Sequence, residues 1–200
     1  NLVIKKYDDY ISLIEQGPSE SGFPCLGSCY KLRHYYFISL PSTVREIADY
    51  AFRSSSRLAS LNISSGLTKI GKEAFKGCEY LMDIDIPSSV TEIGEQAFNL
   101  CMDLRSIKIP QGITETGAAT PCRCAGPTSI DIPSSVTKIG HSAFESCSSL
   151  TSIDIPSGVT EIGVAAFSGC SSLAISLEIP QGITEIGEYT FSGCSSLTSI

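Results

Sequence analysis

The chain repeats itself every 23 residues, and that period limits what it can fold into more than any other feature. The segments Ile84-Asp85-Ile86-Pro87, Ile107-Lys108-Ile109-Pro110, Ile130-Asp131-Ile132-Pro133 and Ile153-Asp154-Ile155-Pro156 begin at 84, 107, 130 and 153. Leu61 and Ile38 extend the series backwards. Leu177 and Ile200 extend it forwards, with one extra residue in the interval before Leu177. Each unit carries the same apolar skeleton, which in the unit headed by Ile84 is Ile84, Ile86, Val90, Ile93, Ala97, Phe98, Cys101 and Leu104. No unit this short can bury eight apolar side chains alone. Stacked coil over coil, the equivalent residues form columns and one continuous core.

Within a unit the apolar spacing first alternates, as in a strand, and then widens to 90, 93, 97 and 98. That change predicts a bend followed by a short helical or 3-10 turn. Proline recurs just after the strand, where it needs no ladder N–H and stops the pairing. Glycine recurs as Gly71, Gly94, Gly117, Gly140, Gly163 and Gly187, which implies either a positive φ or close approach between coils. Neighbouring strands pair in parallel at ~4.8 Å, so about seven coils make a body on the order of 30 Å long.

The stretch IDIPSGVTEIGVAAFSGCSSL, from Ile153 to Leu173, resembles the BspA-like, or Treponema-type, leucine-rich repeat. The resemblance covers residues 38–200 and implies an α/β repeat fold: a right-handed solenoid with a parallel β-sheet on one face and short helical or 3-10 turns opposite. Residues 1–37 are then an N-terminal cap or a degenerate repeat, with a short helix expected from Tyr7 to Ile14 and aromatic cover from Tyr35, Tyr36 and Phe37. Characterised proteins of this type resemble surface adhesins that bind host or matrix proteins. The resemblance therefore implies a non-catalytic protein–protein interaction module, set at the cell surface or outside the cell. The alternative is a structural or scaffold subunit of a larger intracellular assembly.

Six cysteines share one column: Cys78, Cys101, Cys124, Cys147, Cys170 and Cys194. They read as a buried ladder of thiols donating weakly to backbone, or alternatively as disulfides or a thiolate metal site. One cysteine per coil supplies no C-x-x-C pair of the kind zinc sites usually show. Cys25 and Cys29 could form a local disulfide or belong to a decayed repeat. With His34 they make only three of the four ligands a structural zinc needs. Cys122 belongs to a unit that departs from the pattern. There the positions of Ile, Phe and Leu are taken by Thr116, Pro121 and Pro127. A packing defect over 117–126 is expected, arising either from drift or from a bulged loop that a partner recognises.

Alternation turns 83 and 85 outward where 84 and 86 point in. The candidate partner-binding face is therefore Asn62, Asp83, Asp85, Lys108, Asp131, Asp154 and Glu178. Asp131, Asp154 and Glu178 would lie one strand spacing apart, and like charges that close are unfavourable without a counter-charge. A basic protein surface, or a cation such as calcium, would supply it; a merely solvated acidic face is the plainer alternative. Asn62-Ile63-Ser64 forms a glycosylation sequon, read as chance. A second outward column, Glu46, Lys69, Glu92, Glu115, Lys138, Glu161 and Glu185, mixes signs and suggests solubilising surface with weak cross-coil pairs.

The net charge of −7 opposes binding to nucleic acid, which needs Lys and Arg on phosphates, and docking on anionic membranes. No run approaches the ~18 apolar residues of a membrane span. No cofactor or metal site is expected. Nothing places His34 or His141 beside a nucleophile, so no catalytic group is assigned. The series stops at Ile200, the first anchor of another strand, so an end-to-end contact through an uncapped last coil is a further expectation.

Overall fold

A computed structural model describes residues 2–4, 36–116, 124, 126–173 and 178–200. The predicted cap helix, Tyr35, Cys25, Cys29, His34, Cys122, Leu177 and nearly all of the predicted defect lie outside them. Every strand pairing is parallel, and the coils carry two ladders rather than one sheet. The first contains β2 (Tyr36–Ser39), β4 (Leu58–Asn62), β6 (Asp83–Ile84), β9 (Ser129–Ile130) and β11 (Ser152–Ile153). The second contains β1 (Leu2–Ile4), β3 (Val44–Ile47), β5 (Lys69–Ile70) and β7 (Glu92–Ile93), then β8 (Glu115–Thr116), β10 (Lys138–Ile139), β12 (Glu161–Ile162) and β13 (Glu185–Ile186). Between the ladders each coil turns a corner, at a proline in all but the coil headed by Leu61, where Ser64 takes its place. The carbonyl of Pro41, Pro87, Pro110, Pro133, Pro156 or Pro180 accepts from the N–H three residues on, at 3.0–3.1 Å.

The helical or 3-10 turns expected opposite the sheet are absent among the described residues, so the fold is a β-solenoid rather than α/β. The apolar spacing 97, 98, 101, 104 suits a helical face, but the backbone here alternates in hand. Tyr50, Glu73, Gln96, Ser142, Ala165 and Tyr189 hold φ between 50° and 63°, and a second left-handed residue follows four positions later in each of these coils. A left-handed residue every few positions breaks an α-helix. It also redirects alternate N–H groups along the solenoid axis. Tyr50, Phe52 and Ser54 donate to the carbonyls of Lys72, Ala74 and Lys76 in the next coil, and Ser142, Phe144 and Ser146 do the same to Val164, Ala166 and Ser168, all at 2.6–2.9 Å. The N–H groups between them close turns within their own coil, as in Ala51 to Ala48 and Arg53 to Tyr50. A helix would have spent all of these donors internally and left neighbouring coils unbonded on this side.

Of the two explanations for the recurrent glycine, close approach is the one realised. A Cβ on Gly71, Gly94, Gly163 or Gly187 would lie 2.3–2.7 Å from backbone atoms of the preceding coil. Positive φ belongs instead to Gly77, Gly169 and Gly193.

The columns meet as the repeat requires. Phe52, Phe75, Phe98, Phe144 and Phe167 are fully buried. Their rings stack in two runs, Phe52–Phe75–Phe98 with centroids 5.2 and 5.3 Å apart and Phe144–Phe167–Phe191 at 5.3 and 5.6 Å. The six column cysteines are buried thiols. Cys78 Sγ donates to the Phe52 carbonyl at 3.1 Å, and Cys101, Cys124, Cys170 and Cys194 donate to the phenylalanine carbonyl one coil back at 3.1–3.3 Å. This is the thiol ladder reading.

Burial pushes the Cys78 thiol from an ordinary 9.0 up to about 12, and raises Cys101 and Cys194 in the same direction. Folding holds the Cys78 proton between these two values while the unfolded chain releases it. The contribution of this thiol is therefore constant below about pH 9 and is lost as pH rises from there towards 12. An alkaline titration of unfolding free energy checks this. In the native protein at pH 8, iodoacetamide should leave the column unlabelled and should modify it only after denaturation, because the thiolate is the reactive form.

Candidate functional site

The first ladder presents its outward side chains in two columns. Strand pairing sets Phe37 beside Ser60, Ser60 beside Asp83, and Ser39 beside Asn62. Single bridges set Asp83 beside Ser106 and Lys108 beside Asp131. Ser129 lies beside Ser152. Asn62, Asp83, Asp85, Lys108, Asp131, Asp154 and Glu178 are all exposed, while the alternate residues Leu61, Ile84, Ile86, Ile107, Ile109, Ile130, Ile132 and Ile155 are buried. The outward register read from the sequence therefore holds where the structure describes it. Phe37 differs from the expected aromatic cover. It falls in the outward register and stands 58% exposed at the edge of this face.

The two ladders handle charge differently. On the second, lysine sits between glutamates of neighbouring coils. Lys69 Nζ lies 2.8 Å from Glu92, and Lys138 Nζ lies 3.1 Å from Glu161 and 4.0 Å from Glu115. The hydrogen bond to Glu92 raises the Lys69 ammonium above its usual value, and Glu161 does the same for Lys138. Beside this row, threonine hydroxyls donate to the carbonyl one coil back, as from Thr68 to Arg45 at 3.0 Å and from Thr160 to Thr137 at 3.3 Å. The first ladder carries Asp83, Asp85, Asp131, Asp154 and Glu178 against Lys108 alone. Among the described residues no ion pair involves any of these six.

The acids run in rows and do not converge. Among the described residues, no group of three or more His, Cys, Asp or Glu is arranged to hold a metal ion. His141 serves the backbone: its Nδ1 accepts from Val164 N at 3.2 Å. In an earlier coil Asp49 plays the equivalent part: its Oδ1 accepts from Lys72 N, 23 residues on, at 2.7 Å. Sequence reading missed this corner role because the slot tolerates unrelated residues; the shared signal is only its position after Ile-Ala or Ile-Gly. Among the described residues no helix is long and apolar enough to cross a membrane.

Two parallel ladders, a buried Phe and Cys column and a 23-residue coil define a leucine-rich-repeat solenoid. The chain belongs to the BspA-type leucine-rich repeat family, whose repeat region matches it in six copies over residues 27–125 and 121–200. It is similar to the crystal structure of a leucine-rich repeat protein from T. pallidum, with a TM-score of 0.77 and 31% identity over 82% of this chain and 78% of that one. A leucine-rich repeat protein from Bacteroides ovatus matches with a TM-score of 0.75 and 31% identity, over 78% of this chain and 41% of that one. A leucine-rich cell surface protein from Faecalibacterium prausnitzii matches at 0.68 and 30%, over 80% and 53%. No curated protein matches the chain. Leucine-rich repeat proteins generally mediate protein–protein interactions, and this family is typically non-catalytic.

Proposed function

We propose that this chain is a non-catalytic binding module that seats a protein partner on the open face of its first ladder, through Asn62, Asp83, Asp85, Lys108, Asp131, Asp154 and Glu178. The observation that carries the reading is the contrast between the ladders. One sets each of its lysines, Lys69 and Lys138, against glutamates of neighbouring coils; the other displays five carboxylates and one ammonium with no ion pair among the described residues. A partner with a basic surface fits that face, because opposite potential speeds encounter and fixes register. The cell-surface description of the F. prausnitzii protein supports a surface or extracellular setting, with a host or matrix protein as the partner. Residues 1–37 act in this reading as a cap or degenerate repeat that closes the first coil.

The test uses purified extracellular-matrix proteins immobilised on a biosensor. The wild-type chain is expected to bind at least one of them, more weakly as salt rises. The triple variant Asp131→Lys, Asp154→Lys, Glu178→Lys should slow association by on the order of ten- to a hundredfold. A control on the other ladder, Glu46→Lys with Glu185→Lys, should leave it unchanged. A triple variant that binds like wild type removes the face from consideration. A wild type that binds none of the matrix proteins removes the adhesin role.

A further inference from the structure

We propose that the solenoid consists of two blocks that open separately, joined at a weak seam between the coil headed by Ile84 and the coil headed by Ile107. Two features of described residues coincide there. On the second ladder β7 ends one four-stranded sheet and β8 begins the other, while successive strands on either side are paired. The threonine series skips the same step. Backbone and hydroxyl bonds run from Thr68 to Arg45, from Thr91 to Thr68, from Thr137 to Thr114 and from Thr160 to Thr137, but among the described residues none runs from Thr114 to Thr91. On the first ladder the coil headed by Ile107 is held by single bridges on both sides, Asp83 to Ser106 and Lys108 to Asp131, so the second ladder is what places the seam.

The coil headed by Ile107 goes with the second block. Glu115 and Thr116 pair with Lys138 and Ile139. Gly140 N donates to both the carbonyl and the hydroxyl of Thr116 at 3.1 Å. The phenylalanine stack divides in the same region. Phe98 closes one run and Phe144 opens the other, and the position midway is Pro121 in the sequence, which has no ring to stack. Among the described residues, contacts across the seam include the Cys124 thiol on the Phe98 carbonyl, Gly126 pressed against Leu104, where a Cβ would lie 2.1 Å from the carbonyl oxygen, and Gly112, where a Cβ would lie 3.2 Å from the Val90 carbonyl oxygen.

Stability in a stacked repeat is a sum of intrinsic coil terms and nearest-neighbour interface terms. One weak interface therefore divides an otherwise single cooperative unit. Each side keeps three stacked phenylalanines, and about three repeats suffice for independent stability.

The experiment is hydrogen exchange by mass spectrometry on the full chain, following the slowest amides of 44–98 and of 130–170. In Phe167→Ala, the second set should exchange faster by on the order of a hundredfold. The first set should stay within about twofold of wild type. Phe75→Ala should reverse the pattern. Should Phe167→Ala leave the second block unfolded, protection persisting over 44–98 is still the expected result. Equal behaviour of the two sets in both variants, whether both accelerate or both stay unchanged, overturns the proposal.

Discussion

Phe75→Ala is expected to lower the unfolding free energy of its block by about 3–5 kcal/mol, read from urea denaturation followed by circular dichroism. Phe75 is fully buried and lies between two rings, Phe52 at 5.2 Å and Phe98 at 5.3 Å, each nearly parallel to it. Truncation removes its own apolar transfer energy and strips one face from each neighbour. The site cannot collapse to fill the gap, because the spacing of the coils is set by backbone bonds. Phe52 N to Ala74 O and Phe75 N to Ala97 O are both 2.8 Å long. A cavity held open by backbone falls at the costly end of the range for large-to-small changes. A loss below about 1 kcal/mol would mean that the column is not what holds the coils together.

The second large effect comes from adding a single methyl. Gly94→Ala would place a Cβ 2.4 Å from Lys72 N, 2.6 Å from Gly71 C and 2.7 Å from Lys72 Cα. All three are backbone atoms, so no side chain can rotate out of the way. Gly94 N is also tied to Ile70 O at 2.9 Å, and the coils must separate locally or the bond must lengthen. Overpacking of this kind costs typically 1–3 kcal/mol, and more where the obstacle is backbone. Gly158→Ala is the contrasting control. Its nearest contacts are the Ser134 and Val136 carbonyl oxygens at 3.5 and 3.8 Å, an ordinary contact distance, so its thermal midpoint should stay near that of wild type. Equal loss in both variants would contradict the close-approach account of the Gly94 column.

How far the fold could be read from sequence depends on what each position repeats. The core columns were legible because every coil faces the same neighbours, so Phe98 and Leu104 recur where Phe75 and Leu81 stood. The outward columns followed from alternation, and the unlike character of the two charged rows could be seen in Lys69 and Lys138 against Asp131 and Asp154. The arch was misread. Ala97, Phe98, Cys101 and Leu104 fit a helical face as well as they fit a chain of turns, and non-glycine residues such as Gln96 and Leu100 give no local sign that they will hold φ of 55° and 61°. Thr116, Pro121 and Pro127 marked an irregular coil. Nothing in them said that the ladder would break on the side facing Thr91 and remain whole on the side facing Thr137.

The sequence by itself determined the coil length, the residues that line the interior and the residues that meet solvent on the strands, because these follow from periodicity and side-chain polarity alone. The tertiary structure alone decided that the arch carries its own inter-coil hydrogen bonds, that Gly94 is needed for contact rather than for conformation, and where the stack is weakest. Each of these depends on backbone groups 23 residues apart meeting across a coil boundary. Backbone N–H and carbonyl groups are the same in nearly every residue, so their partners are chosen by geometry that no side chain spells out.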